Sequence, residues 1–157
     1  MADRFPCEIE VGGEITKKQI KELAELMEAQ GASLDWESGA PSEAEIEEAI
    51  NENDFSIKDS QARYGEMEDI SSYLMFEKIP FIQCSDAYCE FDAVKTVFDG
   101  EVSMGLLGSQ NGDSLVSMDI LKEAIELLST KRDIEATLSL LKKHYVVDEI
   151  PKLKLAS

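Results

Sequence analysis

The sequence predicts one α+β domain over residues 1–157, built as two layers: a largely antiparallel sheet with four or five helices packed on one face. Three observations predict it. Segments of helical period, two of them opened by capping boxes, are mixed with short runs of alternating apolar residues, without the regular strand–helix–strand rhythm of a doubly wound parallel sheet. Asp99-Gly100 and Asn111-Gly112 separate β-like runs and predict a β-meander across about 89–117, because both dipeptides suit tight hairpin turns. The 157 residues, 43% of them hydrophobic, suffice for one core without disulfides or metals.

The elements follow in order. Phe5, Cys7, Ile9 and Val11 alternate with polar residues and predict a first strand, stopped at Gly12-Gly13. Thr16 and Gln19 form a capping box that opens a helix carrying Ile20, Leu23, Ala24 and Met27 inward, with Gly31 as its stop. Ser33–Trp36 is expected to be a short strand. Ser42 and Glu45 repeat the capping box ahead of a second helix with Ala44, Ile46, Ala49 and Ile50 on its apolar side. A strand is expected at Phe55–Lys58. A third helix is expected over Glu66–Lys78, with Met67, Ile70, Tyr73, Leu74 and Ile79 inward, followed by Pro80 and a strand at Phe81–Cys84. The meander strands are Phe91–Phe98, Val102–Leu107 and Ser114–Val116. Ser117 or Asp119 starts a helix that Ser129-Thr130 interrupts, and Asp133–His144 forms the last helix. Val146–Leu155 reads as a tail or edge strand.

Charge is the unusual property. Thirty-three acids against fifteen Lys and Arg give −18, which excludes a general basic surface for gripping nucleic acid directly and disfavours attraction to an anionic membrane. The excess is uneven: residues 35–119 hold nearly all of it, and residues 120–157 are close to neutral. The densest run is Glu43, Glu45, Glu47, Glu48, Glu52 and Asp54, with no base among them. Glu43/Glu47 and Glu48/Glu52 are like-charge i,i+4 pairs, each costing a helix roughly 0.2–0.5 kcal/mol, although the first-turn acids favour the helix dipole. A face of this kind suits a basic partner. The expected partner-binding set is this run, extended by Asp35, Glu37, Glu66, Glu68 and Asp69.

In charge and size alone the chain is similar to small acidic inhibitors such as anti-restriction, anti-CRISPR and nuclease-immunity proteins; no family motif accompanies the similarity. That similarity implies a non-catalytic protein that mimics nucleic-acid charge and occupies a basic, nucleic-acid-handling partner. The competing readings are acidity that merely keeps the protein dispersed, an enzyme using an Asp/Glu cluster, and a structural or oligomerisation module.

Chemistry-bearing patterns are few, and no catalytic residue, metal or cofactor is assigned. His144 stands beside Lys142 and Lys143 late in a helix, where a cation compensates the dipole. Cys7, Cys84, Cys89 and His144 make a numerically complete Cys₃His zinc set, but the Cys84–Cys89 spacing is wide and Cys7 fits a buried strand position. Asp86, Glu90 and Asp92 are the nearest approach to a carboxylate cluster, and charged strand edges explain them as well. Gly105 and Gly108 lack the Gly-Lys-Ser/Thr ending of a phosphate loop. Trp36, Tyr64, Tyr73 and Tyr88 are candidate interface anchors, because aromatics are enriched at binding hot spots, but each is expected in the core, with Tyr64 the best surface candidate. Lys142, Lys143, Lys152 and Lys154 leave the C-terminal segment relatively basic, which suits pairing with the acidic half of a second copy in a homodimer. Three cysteines, no secretory leader pattern and no apolar run near the roughly 20 residues of a membrane span predict a reducing cytoplasm.

Overall fold

A computed structural model describes residues 3–88, 92–108, 115–144 and 150–156. Five strands form one antiparallel sheet in the order β3-β1-β4-β5-β6. They are β1 (Arg4–Val11), β3 (Ser56–Arg63), β4 (Phe81–Ser85), β5 (Val94–Phe98) and β6 (Ser103–Leu107). A second, parallel pair joins β2 (Glu14–Ile15) to β7 (Lys154–Leu155). The helices are α1 (Lys17–Gln30), α2 (Glu43–Glu52), α3 (Glu68–Phe76), α4 (Met118–Glu126) and α5 (Ile134–His144). The fold is therefore the expected α+β class. Among the described residues no helix is long and apolar enough to cross a membrane.

Alternation along β1 sets the layers. Phe5, Cys7, Ile9 and Val11 are buried, and the cross-strand partners Ile57 and Phe81 share their face. Onto that face come Ile20, Leu23 and Met27 of α1, Ile46 and Ile50 of α2, and Ile70 and Leu74 of α3, which together form the main core. Each helix brings residues at three- and four-residue intervals, which keeps one stripe inward. The opposite face carries Glu8, Lys58 and Cys84, together with the cross-strand pair Ile82 and Val97, both buried.

Both predicted capping boxes are present. Thr16 Oγ1 accepts from Gln19 N while Gln19 Oε1 accepts from Thr16 N, and Ser42 and Glu45 repeat the arrangement. Gly31 ends α1 in the left-handed region at φ 82°, where a β-carbon would be disfavoured.

Several local expectations are corrected. Ser33–Trp36 is not a strand: Ser33 alone bridges to Lys58, and the chain then bends because Asp35 Oδ1 accepts from the backbone N–H groups of Glu37 and Ser38. The meander is β4-β5-β6, so its third strand precedes the pair; Leu115 and Val116 are not strand, and Asn111-Gly112 lies outside the described residues. The Asp99-Gly100 turn also differs. Positive φ falls on Gly100 but not Asp99, so Asp99-Gly100 is not the centre of a type I′ turn, and Asp99 Oδ1 accepts from Glu101 N and Val102 N instead. At Ser129-Thr130 the helix does not break but widens into a π turn, Leu127–Lys131, before Arg132 turns the chain at φ 52°. Of the expected C-terminal segment, Lys154–Leu155 is strand, and residues 146–149 lie outside the described residues.

Candidate functional site

Two elements build the site. The first is α2, held by Ile46 and Ile50 in the core, which turns the intervening carboxylates outward. Asn53 closes the helix in the left-handed region at φ 58°, a conformation asparagine tolerates, and Asp54 N donates to Ala49 O. The second is the bend at 33–41. Lys58 on edge strand β3 fixes it: Ser33 and Lys58 exchange backbone hydrogen bonds of 2.8 Å, and Lys58 Nζ donates to Leu34 O at 3.0 Å. The ammonium also reaches Glu8 at 3.6 Å. The bend thereby lies alongside α2.

Between them runs an open groove of about 430 Å³, into which Asp35, Glu45, Glu48, Glu52 and Asp54 converge beside Pro41 and Ala49. All five carboxylate residues are exposed. They make no ion pair among the described residues. Two are nonetheless held in place by neutral donors. Asp35 is kept ionised below its ordinary range by the backbone N–H of Glu37, then that of Ser38. Glu45 is shifted the same way, first by the Ser42 hydroxyl and then by the Ser42 backbone N–H. The capping box thus does two jobs, starting α2 and fixing one groove carboxylate as an anion.

The remaining expected residues are distributed differently. Glu43 is exposed in the first turn of α2, and Glu37 is exposed in the bend. Glu47 points toward α1, where Lys17 Nζ approaches its carboxylate at 3.3 Å. Glu66, Glu68 and Asp69 do not extend the groove. Glu10 pairs with Ser56 and Arg4 with Arg63, so Asp54 precedes one end of β3 and Glu66 follows the other. About 20 Å of strand separates them.

Trp36, one of the candidate interface anchors, lies at the surface and not in the core. It is 45% exposed and lies with Asp35, Glu37 and Ser38 beside the groove. Placing it in the core was wrong, because the Asp35 turn carries it outward. Its signal was its setting, between two acids in a segment rich in Ser and Gly. Tyr88 is also half exposed and stacks on Phe5 at 5.5 Å. Tyr64 is the surface residue expected, with the Arg63 guanidinium 5.5 Å from its ring, whereas Tyr73 is half buried and donates to Glu22 at 2.9 Å.

Comparison of the chain with protein-family models, with curated proteins and with solved structures finds no match.

Other chemistry is thinly represented. Among the described residues no group of three or more His, Cys, Asp or Glu side chains could hold a metal ion. Cys7 and Cys84 occupy opposite faces of the sheet, which separates two members of the notional zinc set; Cys89 and the side chain of His144 lie outside the described residues. Asp86 and Asp92 are exposed, and Glu90 is outside the described residues. Of the C-terminal bases, Lys142 is exposed on α5, while Lys152 and Lys154 flank Glu14 at the small parallel sheet; the Lys143 side chain is outside the described set.

Proposed function

We propose that the protein is a non-catalytic acidic interaction protein whose groove along α2 binds a basic, nucleic-acid-handling partner in the manner of a charge mimic. The observation that supports this most is the convergence of Asp35, Glu45, Glu48, Glu52 and Asp54 on one open groove that no Lys or Arg lines, Lys58 acting on Asp35 only from β3. Carboxylates arranged only for solubility gain by interspersed lysines; here the like-charge cost is left standing. Glu45, Glu48 and Glu52 place three charges within roughly 10 Å of helix axis, of the same order as one phosphate per roughly 3.4 Å along a DNA strand. Trp36 supplies a rigid aromatic anchor beside them, the residue type that most often dominates binding energy. Steering by the −18 charge speeds encounter with a cationic cleft in the reducing compartment expected from the sequence.

Affinity capture with the native chain, beside a variant carrying Glu45→Lys, Glu48→Lys, Glu52→Lys and Asp54→Lys, tests the reading. The expected partner is a nucleic-acid-binding protein that duplex DNA or RNA displaces and that the folded variant fails to hold. Capture that survives the four reversals, or that nucleic acid does not compete with, refutes the groove as a charge mimic.

A further inference from the structure

The α4–α5 pair is built unlike the rest of the molecule. The two helices pack on each other across the π turn and Arg132, and among the described residues neither contributes to the main core. Each buries one small residue, Ala124 at 5% and Thr137 at 3% exposure. Large apolar side chains stand outward instead. Met118, Leu121 and Ile125 recur along one stripe of α4 that Leu128 continues into the π turn, and Ile134 and Leu138 along one of α5, with exposures from 39% to 65%. At 100° per residue the α4 stripe sits about a quarter turn round from Ala124, and the α5 stripe about a quarter turn from Thr137 in the same sense. In two helices that fold back on each other, that places both stripes on one side.

We propose that this face binds a second copy of the same chain, α4 of one copy lying on α5 of the other to close a two-fold four-helix bundle. Area and charge both choose this occupant. At about 100 Å² of exposed surface apiece, the six side chains present about 600 Å² per copy, and two copies bury about 1,200 Å², the lower edge of specific interfaces. A contiguous apolar patch of that size is at the upper end of what monomers leave in water. Two chains of −18 repel over most of their surfaces, but residues 118–144 are neutral overall. Within them the charge is divided. Helix α4 carries Asp119, Glu123 and Glu126 against Lys122, net −2; residues 131–144 carry Lys131, Arg132, Lys142 and Lys143 against Asp133 and Glu135, net +2. The two-fold arrangement sets α4, net −2, on the 131–144 segment of the other copy, net +2, twice, whereas like segments together would repel.

Light scattering and sedimentation of the purified full chain read the state directly. The expected mass is twice 17.5 kDa at high micromolar concentration, falling toward 17.5 kDa on dilution. Ile125→Glu and Ile134→Glu should each give a monomer with unchanged helix content. Two further variants test the pairing itself. A chain with Glu123→Lys and Glu126→Lys, and a chain with Arg132→Glu and Lys142→Glu, should each self-associate less than the native chain, and a mixture of the two should recover the dimer. A native chain that is monomeric throughout, a dimer that survives both isoleucine variants, or a mixture that does not recover association overturns the proposal. Reversing Glu45 and Glu48 should leave the mass unchanged; a lost dimer there assigns the contact to the acidic groove and overturns it equally. No partner is present in these measurements, so their outcome is separate from that of the groove reading.

Discussion

Cys7 and Cys84 lie on hydrogen-bonded strands with their thiols on opposite faces of the sheet. Cys7 pairs with Ser85 and Cys84 with Glu8, and residues that pair directly share a face. Cys7 is fully within the core, and burial, then the charges of Asp59, Cys84 and Glu66, drive its thiol far above the ordinary range. The thiol form therefore dominates at any working pH. Alkylation at mildly alkaline pH should leave Cys7 unmodified in the native chain and modify it in denaturant, read by peptide mass. A Cys7–Cys84 disulfide should not form without unfolding, and its detection in native protein would contradict the register.

The two capping boxes should respond differently to acid. Thr16→Ala removes a cap whose partner, Gln19, is neutral; the expected loss is about 1 kcal/mol, equal at neutral and acidic pH. Ser42→Ala removes a cap whose partner, Glu45, is held ionised below its ordinary value of 4.5. A depressed folded-state pKa contributes stability that is present above the unfolded value and lost as pH falls through the folded one. The Ser42→Ala penalty should therefore be full at neutral pH and shrink below about pH 4.5. Urea titrations of both variants at the two pH values check this.

Gly31 and Gly65 separate conformational strain from collision. Both have positive φ, 82° and 67°. A β-carbon at Gly31 meets open space, so Gly31→Ala should cost about 1–2 kcal/mol. One at Gly65 would enter the ring of Phe5 and crowd Ser85, so Gly65→Ala should cost about 3 kcal/mol or more. Equal unfolding midpoints for the two variants would show that the tight Tyr64-Gly65 turn is not packed on β1 as described.

The groove carboxylates should weaken the free protein. Glu48 and Glu52 repel across one turn of α2 with no cation between them. Glu48→Lys should raise stability by a few tenths of a kcal/mol while weakening partner capture. Raising ionic strength from about 0.01 M to about 0.15 M should raise the melting temperature of the native chain, because the screening length falls from roughly 30 Å to roughly 8 Å. A melting temperature that falls over that range would count against unrelieved repulsion.

Local rules carried far along this chain. Phe5, Cys7, Ile9 and Val11 fall on the core face because alternation is a property of any strand. Thr16/Gln19 and Ser42/Glu45 cap helices because both partners lie within one turn. The same locality explains the failures. Asp35 turned the expected Ser33–Trp36 strand into a bend, since its side chain competed with the backbone for Glu37 and Ser38 N–H groups. Nothing between residues 91 and 116 revealed that β5 would pair with β4 before it.

The α+β class, the inward faces of β1, α1, α2 and α3, and the concentration of charge in residues 35–119 were all legible along the chain. Those properties depend on neighbours a few positions apart. Which acids meet depends instead on long-range packing. Lys58, reaching from β3 to Leu34 and Glu8, brings Asp35 against α2, while the length of β3 removes Glu66, Glu68 and Asp69 to the far end of the sheet. Charges converge or separate according to strand order and register, which are set by contacts between residues remote in the chain.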